Sequence, residues 1–174
     1  AVLARGGNGK RFSLPRPMLG RAQANFSFSG LKTAVRQTVQ EQGPLDEAGI
    51  AALAASFQQA VVDVIMDRTQ VAMRIFRPSF ENKNDGLRLV AAGGVASNRA
   101  IREGLEKLCH KEGFSLALPP PSLCTDNGAM VAWAGLERLT QGLCDPLDAA
   151  PYASWPLETL GNSRPAAPVR AKTG

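Results

Sequence analysis

The passage Leu87-Arg88-Leu89-Val90-Ala91-Ala92, followed at once by Gly93-Gly94-Val95-Ala96-Ser97-Asn98, constrains this chain more than any other. A short apolar run, a glycine pair and a periodic segment predict a buried strand, a tight turn and a helix. That helix carries Ile101, Leu105, Leu108 and Cys109 inward and stops at Gly113. Phe114–Leu118 reads as a second short strand, running into the stiff connector Pro119-Pro120-Pro121. Strand–turn–helix units whose turns hold small polar residues belong to the α/β class.

The flanking segments follow the same logic. Residues 6–25, rich in Gly, Pro and Arg, predict a surface loop, and the alternation Phe26-Ser27-Phe28-Ser29 predicts a short strand ended by Gly30. A helix is expected from Leu31 to about Gln42, closed by Gly43-Pro44. Asp46 opens a long helix with Ile50, Leu53, Phe57, Val61, Val64, Val71 and Ile75 on one apolar face, and Pro78 stops it. A nearly all-apolar, buried helix is expected from Ala129 to Leu136, finished by Gly142. Beyond Thr159 the prolines and lack of periodicity predict a disordered tail. The opening Ala1–Arg5, without Met, reads as the end of a helix whose start is missing.

At 174 residues and 44% apolar content the chain can bury a core, so wholesale disorder is excluded. Cys109, Cys124 and Cys144 form no CxxC and no even-numbered framework, which fits a reducing compartment. No uninterrupted apolar run reaches bilayer length, and the expectation is a cytoplasmic protein away from membranes. Charge is uneven: residues 1–40 hold seven Lys/Arg and no acid, whereas residues 41–158 hold ten against fifteen. The basic stretch Lys10, Arg11, Arg16, Arg21, Lys32 and Arg36 suits a phosphate backbone, or equally a solvated loop or a subunit interface.

Three turns carry candidate chemistry. At Gly93-Gly94 the following helix N-terminus offers free N–H groups to a phosphate, and Asn98 can meet a base edge or ribose hydroxyl. A tight turn with Ser97 or Asn98 as helix cap explains the same residues. In Ser122-Leu123-Cys124-Thr125-Asp126-Asn127-Gly128, Asp126 either caps the next helix or serves as a carboxylate metal ligand. Lys32, near a helix start, is poorly placed for the dipole, which points to an anionic partner or simply to solvent. The single histidine, His110, ends a helix and has no histidine partner. No Ser/His/Asp set, Cys/His pair or paired carboxylates can be assembled, so covalent hydrolysis by a protein nucleophile has no support.

Taken together, Phe26-Ser-Phe-Ser-Gly-Leu-Lys-Thr33, Gly93-Gly-Val-Ala-Ser-Asn98 and Ser122-Leu-Cys-Thr-Asp-Asn-Gly128 resemble one family. It is the TsaD family of tRNA N6-adenosine threonylcarbamoyltransferases, formerly labelled glycoproteases, and the likeness is to its C-terminal half. Arg11-Phe12, Pro15-Arg16-Pro17-Met18 and Trp155-Pro156-Leu157 support it, so the likeness runs from about Arg11 to Leu157. The resemblance implies the second lobe of an actin/Hsp70/sugar-kinase-like fold, with a basic segment at 1–25, the lobe at 26–158 and a tail at 159–174. It also implies that Asn98, with Gly93 and Gly94, contacts the adenylate of threonylcarbamoyl-AMP. Asp126 would be one ligand of a divalent metal, iron in the family. The other ligands, two histidines of an HxxxH motif, do not occur in this chain.

The implied activity is transfer of threonylcarbamoyl from threonylcarbamoyl-AMP to an adenosine beside the tRNA anticodon. The partners would be tRNA and the paralogous and ATPase subunits of a tRNA-modifying complex. On this reading the isolated chain is inactive. A non-catalytic paralogous scaffold of the same fold is the alternative, opposed by the retention of Asn98 and Asp126. The historical protease reading ranks last, since no zincin motif is present.

Overall fold

The computed structural model describes residues 2–77 and 86–148. Its elements are α1 (Leu31–Gln42), α2 (Glu47–Phe76), β1 (Arg88–Val90), α3 (Arg99–Glu112), β2 (Ser115–Ala117) and α4 (Gly128–Thr140). The chain divides into two compact units, Ala1–Thr125 and Asp126–Gly174. In the first, β1 and β2 pair in parallel, Leu89 opposite Leu116, with α3 as the crossover. The α/β class holds.

Helix α2 is the spine of the first unit. Asp46 caps it, accepting from Gly49 N–H at 2.7 Å. Its N-terminal half packs Leu53 and Ala60 against Leu14 and Leu31. Its C-terminal half packs Met73 against Leu108, Cys109 and Phe114, with Leu87, Leu89 and Leu116 alongside. By length and composition α2 could cross a bilayer, contrary to the expectation that no stretch qualifies. Here it is a core helix.

Residues 7–23 are more than a surface loop: they lie as a strap along α2. Gly7 passes so close that a Cβ there would meet Ala51 O at 2.1 Å. Ser56, fully buried, donates to Ala52 O at 2.9 Å and accepts from Phe12 N–H at 3.2 Å. Arg16 pairs with Asp63 at 2.9 Å, and Asp67 accepts from Gly20 N–H at 3.1 Å. Arg68, with no exposed surface, donates to Arg21 O at 2.8 Å, to Gln23 O at 2.6 Å and to the Asp67 carboxylate. A guanidinium can be buried only when its donors find acceptors, and the strap carbonyls supply them.

Several expectations are corrected. Phe26–Ser29 is not a strand: it has no pairing partner among the described residues, both phenylalanines are exposed, and Ser29 N–H bonds Ser27 Oγ at 3.2 Å in a turn. On α2, Leu53 and Val64 are buried as expected, but Ile50, Phe57 and Ile75 are exposed. The strap needs close approach, so it selects the face of Gly49, Ala52, Ser56 and Ala60 instead. Strand β1 is not fully buried, since its burial alternates and Val90 is exposed. In the second unit α4 is helical, yet none of its residues is buried. Met130, Val131, Trp133, Leu136 and Leu139 are exposed because no described residue of that unit covers them. Pro78, the Trp155 string and the expected tail lie outside the described residues.

Arg68→Ala should destabilise the first unit by about 1–3 kcal/mol, because it takes the guanidinium donor from the Arg21 and Gln23 carbonyls and from the Asp67 carboxylate. Arg138→Ala, which breaks an exposed pair with Asp145 in the second unit, should leave the urea midpoint of the first unmoved. The acid limb provides a second check. Burial alone would raise the Asp67 pKa, but hydrogen bonds from Arg68 and from Gly20 N–H outweigh it and hold the carboxyl below its ordinary 3.8. A depressed carboxylate stabilises the fold above its unfolded pKa, and that stability is lost as pH falls through the folded value. Asp67→Asn should therefore flatten the stability profile below about pH 4, measured by urea unfolding at stepped pH.

Candidate functional site

The turn after β1 is built by two glycines with different reasons. Gly93 has φ 87° and ψ 170°, a conformation that side chains disfavour. Gly94 carries no positive φ, and a Cβ there would meet nothing within 4 Å. Its bareness answers no demand of the described fold and leaves the backbone open to a ligand. Gly94–Ser97 then makes one 3-10 turn over buried Ala96, closed by Ser97 Oγ–H on Gly94 O at 2.7 Å. The N–H groups of Gly94 and Val95, at the head of that turn, fall outside its own ladder of bonds.

Asn98 caps α3. Its Oδ1 accepts from Ala100 N–H at 3.0 Å and from Ile101 N–H at 3.4 Å, and its amide donates to Gln58 Oε1 at 3.2 Å. The oxygen is committed to the helix, so what Asn98 has left for a ligand is one N–H. Beside the turn lies an open groove of about 1040 Å³. Val35, Leu53, Phe57, Val61, Val95 and Ile101 line its apolar wall, and Arg5, Lys32, Gln58, Asn98 and Arg99 its polar rim. An apolar cleft with a few convergent polar groups is the usual form of a small-molecule site. The rim holds cations and no carboxylate. Arg99 is paired with Glu103 at 2.7 Å, while Arg5 and Lys32 have no ionic partner among the described residues.

The groove thus brings together Gly94, Asn98 and Lys32. Periodicity assigned Phe57 to the core rather than to a groove, and Gln58, a half-buried polar residue on α2, gave no signal in the sequence. Asp126 opens the second unit and is exposed. It does not cap α4; Asn127 does, accepting from Met130 N–H at 2.9 Å. Of the basic stretch, Arg16 is engaged by Asp63 and Arg11 lies over the Phe12 ring at 5.3 Å. Arg21, Lys32 and Arg36 are exposed. His110 is exposed in the last turn of α3, and burial pushes the Cys109 thiol up, so neither is a poised nucleophile.

A parallel strand feeding a glycine turn and a capped helix, beside an apolar groove with a cationic rim, defines an α/β unit with a candidate ligand site. The family is narrower still. Residues 1–133 match the family model of TsaD, tRNA N6-adenosine threonylcarbamoyltransferase, and the chain belongs to that family. It is 55% identical over 152 residues to the tRNA N6-adenosine threonylcarbamoyltransferase of Methylocapsa acidiphila, covering 87% of this chain and 42% of the relative. The enzyme of the same name from Rhodopseudomonas palustris (strain BisA53) is also 55% identical, over 87% of this chain and 41% of its own length. That of Afipia carboxidovorans is 54% identical, over 89% and 43%. The chain therefore spans less than half the length of these relatives.

The two glycines should separate by experiment. Gly93→Ala should cost about 1–3 kcal/mol of stability through backbone strain. Gly94→Ala should shift stability by less than about 0.5 kcal/mol yet weaken AMP binding at least about tenfold. Urea unfolding and calorimetric titration of the complete protein read the two effects.

Proposed function

We propose that the complete protein transfers a threonylcarbamoyl group from threonylcarbamoyl-AMP to N6 of an adenosine beside the tRNA anticodon. This chain furnishes one wall of the nucleotide site, within the second lobe of an actin/Hsp70/sugar-kinase-like fold spanning 26–158. The observation that carries the reading is that the bare Gly94 turn and its groove fall inside the stretch matched to the family. The Gly94 and Val95 N–H groups, with Lys32, suit the adenylate phosphate, and the apolar wall suits its base. Asn98 offers its remaining amide hydrogen.

In the reaction the N6 amine attacks the carbamoyl carbonyl. A C–N bond forms, the bond to the phosphate oxygen breaks, and AMP leaves with the electron pair while the N6 proton passes to phosphate or water. No covalent enzyme intermediate is needed, in keeping with the lack of a protein nucleophile. Holding the two reactants together is the contribution asked of the groove. tRNA is the macromolecular substrate in this reading, and the exposed Arg21, Lys32 and Arg36 suit its phosphates. Paralogous and ATPase subunits would complete a cytoplasmic complex.

The divalent metal that the resemblance implies, iron, does not fit the residues at hand. Among the described residues no group of three His, Cys, Asp or Glu can hold an ion, and Asp126 is one exposed carboxylate. Asp126 is therefore proposed as at most a single ligand, and no step is routed through a metal.

Incubation of the complete protein with threonylcarbamoyl-AMP and unmodified tRNA, followed by nucleoside mass spectrometry, tests the function. Formation of threonylcarbamoyladenosine is expected. Asn98→Asp keeps the capping oxygen and loses the free amide hydrogen, and should lower kcat/KM at least about tenfold with the fold intact. No product from the wild-type protein would overturn the proposal.

A further inference from the structure

The connector between β2 and the second turn is held by one residue of α3. Arg102 lies one helical turn past Asn98, its N–H bonded to Asn98 O at 3.0 Å. Its guanidinium donates to Pro119 O at 2.5 Å and to Cys124 Sγ at 3.2 Å. Cys124 is 3% exposed, with Sγ 3.7 Å from Pro119 O and 3.5 Å from Pro120 O. The connector so gripped makes its own 3-10 turn at Pro121–Leu123, which packs against the Gly94–Ser97 turn. Arg102 Nε is buried without a partner. An orphaned donor carries a desolvation cost, so a helix surface chosen for stability alone would not place an arginine here.

We propose that Arg102, acting through Pro119 O and Cys124 Sγ, is a positioning residue for the nucleotide turn. It clasps the Pro119–Cys124 connector against Gly94–Ser97 and thereby fixes where the Gly94 and Val95 N–H groups stand. The guanidinium suits this task because its planar fork reaches a carbonyl and a sulfur at once, whereas a lysine ammonium is a single point charge on a flexible stem. The thiol suits it because sulfur accepts from the guanidinium while its own proton faces the proline carbonyls. Neither residue touches the groove, since neither lines it. The effect falls on binding geometry rather than on a reacting atom.

The inference rests on the nucleotide reading, and the test separates the two. In the complete protein, steady-state transfer with threonylcarbamoyl-AMP and calorimetric titration with AMP alone are measured for four variants. Arg102→Ala should raise KM and the AMP Kd by about tenfold or more, and Arg102→Lys by about fivefold, with kcat held within about twofold. Cys124→Ala should raise both by about threefold, and Cys124→Ser, which keeps an acceptor, should restore them. A merely structural role would instead lower kcat and the folded fraction together and leave KM unchanged, and that result, or an unchanged AMP Kd, overturns the proposal. If the wild-type protein itself binds no AMP, the nucleotide reading falls, and the positioning role falls with it.

Discussion

The first unit depends on the burial of two polar side chains, Ser56 and Arg68, on a helix that is otherwise apolar on that face. Neither can be left without partners in a dry interior. The strap of residues 7–23 supplies them through its backbone, and in doing so it is ordered along α2. The helix therefore keeps Leu53, Val64 and Met73 inward but not Ile50 and Phe57. Close approach of the strap demands the small residues Ala51, Ala52 and Ala55, and the larger Ile50 and Phe57 are turned outward.

That rotation creates the candidate site. Phe57, turned out of the core, and Val61, half-buried at its edge, form part of the groove wall. Gln58, on the same side, bonds the Asn98 amide and so ties the start of α3 to α2. At its other end α3 is fastened by Gln70 to Glu112 at 2.6 Å and by the contacts of Leu108 and Cys109 with Met73. The glycine turn is thus held between the Asn98 cap of α3 and strand β1, which pairs with β2.

Much of this was legible in the sequence where one local rule decided the outcome. The bounds of α1, the Asp46 cap, the inward face of α3 and its stop at Gly113 follow from capping chemistry and periodicity alone. The readings that failed are those settled by distant neighbours. Phe26–Ser29 alternates like a strand but pairs with no strand among the described residues, α4 is apolar without a cover among the described residues of its unit, and the buried face of α2 is set by a segment some 47 residues away. At the site, the glycine turn and Asn98 stood out, but composition could not separate a helix cap from a ligand contact. The structure shows the cap geometry, and what it leaves for a ligand is one N–H. Arg102 was invisible because its partners, Pro119 and Cys124, are joined to it only by the fold.

Nucleotide binding at the Gly94 turn is the proposal on which the account rests. The most direct measurement is photolabelling of the complete protein with 8-azidoadenosine monophosphate, with the modified peptides mapped by mass spectrometry. Labels within residues 94–102 or around Phe57 and Lys32, abolished by excess unlabelled AMP, are the expected result. Competable labelling confined to other parts of the protein, or labelling that AMP does not displace, would contradict it.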